Sequence, residues 1–127
     1  MSDANALNPV VWVDLPVVDL TRAVAFYQAV LAVEIETQSF DGAAFAVFKH
    51  NSGNGACLVP GLGAPTAEDG PLVYFNVDGR LSAATVAVAA HGGRVLEEPH
   101  SMGPHGWRAV VVDSEGNRIA LHANTLS

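Results

Sequence analysis

Apolar and polar residues alternate near the start of the chain. Val11, Val13, Leu15 and Val17 are separated by Trp12, Asp14 and Pro16. A period of two predicts a half-buried strand over 9–17. The period then changes. Asp19 is a residue type that caps helices. Beyond it Ala23, Phe26, Tyr27, Val30 and Leu31 recur at helical spacing, which predicts a helix over 20–31 with one buried stripe. Strands are predicted near 33–38, 43–49 and 55–60. Asn51-Ser52-Gly53-Asn54-Gly55 is rich in residues that tolerate positive φ and reads as a turn. A second series follows: a strand at 71–77, an Ala-rich helix at about 80–90 stopped by Gly92-Gly93, and strands near 94–97, 106–112 and 117–123. Alanine occupies every side of this second helix, so its buried face cannot be assigned.

The second series copies the first. Val13-Asp14-Leu15-Pro16-Val17 returns 60 positions later as Val73-Tyr74-Phe75-Asn76-Val77. The stretch from Ala46 to Leu58 returns 63 positions later as Ala109 to Leu121, so about three residues are added between the segments of the second copy. A supersecondary unit this small cannot bury a core alone, so the copies must pack together. Each reads as strand, helix and three strands, which gives an α+β domain of mixed or antiparallel sheet with helices on one side. The expected organisation is a single domain over 1–127, with module 1 at about 8–60, a Gly/Pro-rich linker at about 61–70 and module 2 at about 71–124.

Composition narrows the partners. The 127 residues are 50% hydrophobic, ample for a core. No apolar run reaches the roughly 18–20 residues of a membrane span. The first residues, Met1-Ser2-Asp3-Ala4-Asn5, lack the basic and apolar regions of a secretory signal. One cysteine allows no internal disulfide and suits a reducing compartment, so a cytoplasmic protein is expected. The net charge of -7 is spread along the chain. It argues against nucleic acid and anionic membrane, which need clustered Lys and Arg, and favours a neutral or cationic small ligand or a protein partner.

Several segments together resemble the vicinal oxygen chelate superfamily of glyoxalase I, bleomycin- and fosfomycin-resistance proteins and extradiol dioxygenases. They are Val17-Val18-Asp19-Leu20, Ala25-Phe26-Tyr27 with Val30-Leu31, Ala90-His91-Gly92-Gly93, and Asp113-Ser114-Glu115-Gly116-Asn117-Arg118-Ile119. Ala32 departs from the glycine that relatives usually carry after Val-Leu. The resemblance implies two βαβββ modules forming a cupped, mostly antiparallel mixed sheet. It also implies a divalent metal held by His, Glu or Gln on the first and last strands of each module, and frequent homodimers. Whether a cup is shared across chains or lies within one is left open. The positions matching the metal ligands are Trp12, Cys57, Leu72 and Ala120. Leucine and alanine have no donor atom, and an indole N–H offers no lone pair. One thiolate is fewer than the three or four protein ligands of zinc sites. The family metal site is therefore expected to be absent, with no cofactor.

Strand parity places Asp14, Tyr74, Asn76 and His122 on the cup face with those four residues. Together with Trp107 they form the candidate ligand site. His122 and Asp14 are the candidate catalytic bases, set against a reading in which they are ordinary polar groups at strand ends. A relocated metal on Asp14 and His122 would need a third ligand from His100, His105 or Cys57. His100 and His105 lie in a Gly/Pro-containing stretch read as an exposed loop, a candidate lid that Trp107 could close as a stacking surface, unless Trp107 simply starts the next strand. His91 at a helix end and His50 at a turn read as structural. Cys57 has no neighbour that would lower its pKa and reads as an inert thiol. Gly53-Asn54-Gly55 and Gly116-Asn117 are too short for phosphate loops. Three functions remain open: a metal-free cup binding a small organic molecule, a metal-independent isomerase or lyase using His122 or Asp14, and a metal-dependent lyase or dioxygenase with rearranged ligands. Glyoxalase I activity is not expected.

Overall fold

The computed structural model describes residues 12–49, 54–63 and 72–127. The start of the first predicted strand, His50 and most of the linker lie outside them. Module 1 runs β1 (Trp12–Val17), α1 (Leu20–Leu31), β2 (Ile35–Phe40), β3 (Ala43–Phe48) and β4 (Gly55–Pro60). Module 2 runs β5 (Val73–Asn76), α2 (Leu81–Ala90), β6 (Arg94–Ser101), β7 (Trp107–Val112) and β8 (Arg118–Ala123). Each forms its own four-stranded sheet, in the orders β1-β4-β3-β2 and β5-β8-β7-β6. The first and last strands of each module pair in parallel and the rest antiparallel. This is the predicted α+β fold of two βαβββ modules. No helix among the described residues is long and apolar enough to cross a membrane.

Local chemistry explains the elements. The Asp19 carboxylate accepts the Arg22 N–H at 3.1 Å and so caps α1. Ala23, Phe26, Tyr27, Val30 and Leu31 form the buried stripe. α1 ends on Ala32 in the left-handed conformation (φ 55°), where the family glycine would be unstrained. In α2 burial selects Leu81, Ala84, Thr85 and Val88, a spacing that the alanines had masked. The added residues of module 2 fall between β6 and β7. Asp41-Gly42 suffices for the hairpin of module 1, whereas Met102–Gly106 contains a 3-10 turn at Gly103–His105. The predicted strand at 94–97 continues to Ser101, so His100 is a strand residue and not part of a loop.

The inner faces of both sheets share one core. Leu15, Val17, Phe26, Tyr27 and Leu58 of module 1 cluster with Val77, Leu81, Val88, Val111 and Leu121 of module 2. Phe48 stacks on Phe75 with ring centroids 5.8 Å apart, and Tyr27 lies 5.6 Å from Phe75. A side chain at Gly93 would come within 2.4 Å of the Val112 carbonyl and 2.8 Å of Phe26, so only glycine admits this packing. Strand residues of the opposite parity stay out of this core and form the outer face of each sheet.

A turn of module 2, Asp113–Asn117, locks the modules together. Tyr27 donates its hydroxyl to Asp113 at 2.5 Å. Glu115 accepts the N–H groups of Val18 and Asp19 at 2.8 and 2.7 Å, and Arg22 Nε at 2.7 Å. Asn117 donates to the Pro16 carbonyl at 2.8 Å. Burial alone would raise the Glu115 carboxyl. It is outweighed by the Arg22 guanidinium, the Asp19 N–H, the Ser114 hydroxyl and the Val18 N–H, which bring it down from 4.5 to about 2.

Two predictions follow from this packing. Ala32→Gly should raise the unfolding free energy in urea by about 0.5–1 kcal/mol, the relief of a left-handed non-glycine residue less the extra freedom of the unfolded glycine. A lower urea midpoint would contradict the strain. The unfolded Glu115 carboxyl titrates near 4.5 and the folded one near 2, so the folded chain holds fewer protons between these values. Its stabilisation is complete above about pH 4.5 and is lost as the pH falls toward 2. Urea titrations across this window should show a steeper loss in the parent chain than in Glu115→Gln; equal slopes would count against the assignment.

Candidate functional site

Parity divides the strands as the alternation predicts. Leu15, Val17, Val77, Ile119 and Leu121 lie in the shared core, while Trp12, Asp14, Tyr74 and Asn76 are exposed. Cys57 and Ala120 are buried but do not belong to that core, as expected for the opposite face. Leu72, half-buried just before β5, has the parity of Tyr74.

On the outer face of module 1, β1 and β4 set Asp14 directly beside Cys57. The carboxylate oxygen of Asp14 accepts the Cys57 thiol at 3.0 Å and the Trp12 indole N–H at 3.1 Å. Burial pushes the thiol up to about 11, reinforced by the Asp14 carboxylate and partly offset by the Trp12 indole. Cys57 therefore stays protonated at neutral pH, as an inert thiol should. Val47 lies opposite Cys57 on β3, and Glu36 and Gln38 of β2 continue the same face beyond Val47 and Phe45.

The outer face of module 2 is polar. Register places Asn76, His122, Arg108 and His100 in one row across its four strands. Tyr74, Ala120, Val110 and Glu97 form the next row. Arg108 donates from Nη1 to the Tyr74 hydroxyl at 2.5 Å and from Nε to His100 Nε2 at 3.2 Å. His100 Nδ1 faces the Glu98 carbonyl at 2.9 Å. A carbonyl only accepts, so Nδ1 carries the hydrogen and Nε2 is the acceptor that Arg108 requires. The same logic applies at His122, whose Nε2 lies 2.7 Å from the His105 carbonyl. Nε2 must donate, which leaves the Nδ1 lone pair as the ring's base in its neutral form. Tyr74 and His122 meet edge to face, 6.3 Å between centroids. Gly106 makes the approach over β8 feasible, because a Cβ there would lie 2.6 Å from the Ala123 carbonyl and 3.1 Å from His122 Nε2. An open cavity of about 480 Å³ results, lined by Tyr74, Phe75, Asn76, Met102, His105 and His122. The larger cavity, about 580 Å³, lies at the β2–β3 edge among Gln28, Glu34, Glu36 and Lys49, away from this row.

Two expectations need correction. Trp107 shares the parity of Ala109 and Val111, packs against the common core and pairs with Ala123, so it cannot close a lid over the outer face. His100 and His105 do not form one exposed loop: His100 buttresses Arg108 from β6, and His105 contributes its carbonyl. His91 ends α2 with Nδ1 3.0 Å from the Ala87 carbonyl, a structural contact. Arg108 and Glu97 were missed, although applying the same alternation to 106–112 places Arg108 on the outer face.

The residues do not fit a divalent ion at the positions matching the family ligands. Trp12 and Cys57 both direct hydrogens at Asp14, and Leu72 and Ala120 offer no donor atom. No group of three or more His, Cys, Asp or Glu among the described residues could hold a metal.

A family model described as the Glyoxalase/Bleomycin resistance protein/Dioxygenase superfamily matches residues 9–121, and the chain belongs to that superfamily. Among solved structures, hypothetical protein SA1046 from S. aureus superposes with a TM-score of 0.72 at 18% identity, covering 91% of this chain and 94% of that one. A glyoxalase/bleomycin resistance protein from Albidiferax ferrireducens T118 gives 0.69 at 22% identity, over 91% and 98%. The genomically encoded fosfomycin resistance protein FosX from Listeria monocytogenes gives 0.70 at 19% identity, over 94% and 95%. These likenesses show the fold alone. No curated protein matches the sequence.

The protonated, buried state of Cys57 should be measurable. At pH 8 its alkylation by iodoacetamide should be at least about tenfold slower than that of a cysteine in an unfolded peptide. An equal or faster rate would contradict the Asp14–Cys57 contact.

Proposed function

We propose that this chain is a cytoplasmic protein that binds a small organic molecule on the outer faces of its sheets without a divalent ion. The observation that carries the reading is the module 2 face, where Tyr74, Asn76 and His122 surround an open cavity braced by Arg108. Small-molecule sites typically combine apolar walls with a few converging polar groups. Trp12 and Leu72 supply apolar surface, over buried Cys57 and Ala120, where relatives of the resembled family hold a metal. The ligand of FosX is not carried over, because 19% identity speaks only for the fold.

The two outer faces become one cup in a homodimer. What supports this is the geometry of the chain. Trp12 and Tyr74, one on each outer face, both remain 43% exposed. β1 and β5 each end a sheet and pair only inward, with β4 and β8. A second copy joined along these edges would bring Trp12 and Asp14 of one chain opposite Tyr74, Asn76 and His122 of the other.

One observation favours a second reading, a metal-independent isomerase or lyase. The His105 carbonyl fixes the His122 ring and leaves Nδ1 as a base, the arrangement that proton abstraction requires. Asp14 is the weaker candidate, since two donors already occupy one of its oxygens.

Elemental analysis of the purified protein should find no stoichiometric Zn, Ni, Mn or Fe. In a Trp107→Phe variant, fluorescence then reports Trp12 and should change as aromatic metabolites are added. About one ion per chain, lost in Asp14→Ala or His122→Ala, would overturn the metal-free reading. Constant Trp12 emission across a broad metabolite panel would overturn the cup.

A further inference from the structure

We infer that the module 2 face recognises a carboxylate on its ligand, with Arg108 as the anchor. This deepens the cup reading and rests on it. The chain's charge of -7 argues for a neutral or cationic ligand, but the local arrangement points the other way. The residues lining the cavity include no Asp or Glu. Hydrogen donors gather there instead. The Tyr74 oxygen accepts from Arg108, which leaves the phenol's own hydrogen for another acceptor. Asn76 Oδ1 accepts the Asp78 N–H at 2.8 Å, so its amide hydrogens remain available to the cavity. A carboxylate supplies the acceptors that both groups need.

The state of Arg108 supports the same occupant. The guanidinium is held in place by two neutral acceptors, Tyr74 and His100, which fix its plane without cancelling its charge. Its one acidic neighbour, Glu97, lies 3.7 Å from Nη2 and is half exposed. Such a long, solvated pair offsets little charge. Arg108 is itself a quarter exposed and lies behind Tyr74, beside the cavity lining, so a ligand carboxylate must reach past the phenol to meet the fork. A planar, pre-oriented guanidinium suits the paired oxygens of a carboxylate better than it suits an isolated neutral group.

The test uses the intact protein and ligand-observed NMR. Benzoate, salicylate and phenylacetate are each compared with their neutral carboxamides. The acids should bind at least about tenfold more tightly than the amides, and Arg108→Met should remove that preference, with Arg108→Lys intermediate. Glu97→Gln, a change at an exposed position, should tighten acid binding by removing a competing carboxylate. Amides that bind as well as acids would overturn the carboxylate anchor while leaving the cup intact. So would unchanged acid affinity in both Arg108→Met and Glu97→Gln. Binding of neither series would overturn the anchor and the cup together.

Discussion

The architecture depends on the turn Asp113–Asn117. Its two carboxylates are buried, a costly placement unless every charge is met by donors. Module 1 meets them: the Tyr27 hydroxyl, the Arg22 guanidinium and the first N–H groups before α1 all converge on the turn. The loss of one partner strands the other in a dry environment, so the modules hold one relative orientation. That orientation gathers the apolar sides of both sheets into one core.

The duplication is therefore not symmetric in its chemistry. By the repeat, the position of Asp113 is held by His50 in module 1, so the aspartate clamp belongs to module 2. The outer faces differ as well. Module 1 contributes the Trp12–Asp14–Cys57 contact, and module 2 a row of donors around Arg108. The three residues added between β6 and β7 matter here. They build the 3-10 turn whose His105 carbonyl fixes His122, and Gly106 lets that turn settle on β8.

The fold was legible because burial acts on period. Val13, Leu15 and Val17 announce a two-residue repeat, the 20–31 stripe announces a helix, and the 60- and 63-residue offsets announce two modules. The face of α2 was not legible, since alanine lacks the contrast that reveals a stripe. Parity put Asp14, Tyr74, Asn76 and His122 on the face opposite the shared core, where the structure has them. Gly and Pro suggested a loop from 98 onward, where β6 in fact runs to Ser101, and of the two readings of Trp107 the structure has the one in which it starts β7. The coupling of His100, Arg108 and His122 depends on which residues sit opposite across strands, a register that no single segment encodes.

The central claim is that the outward faces of the two sheets are halves of one metal-free cup. A crystal structure of the purified protein with anomalous data tests it most directly. The expected result is a two-fold pair with Trp12 and Asp14 of one copy facing Tyr74, Arg108 and His122 of the other, and no ion between them. A pair joined through other surfaces, or an ion coordinated among these side chains, would contradict it.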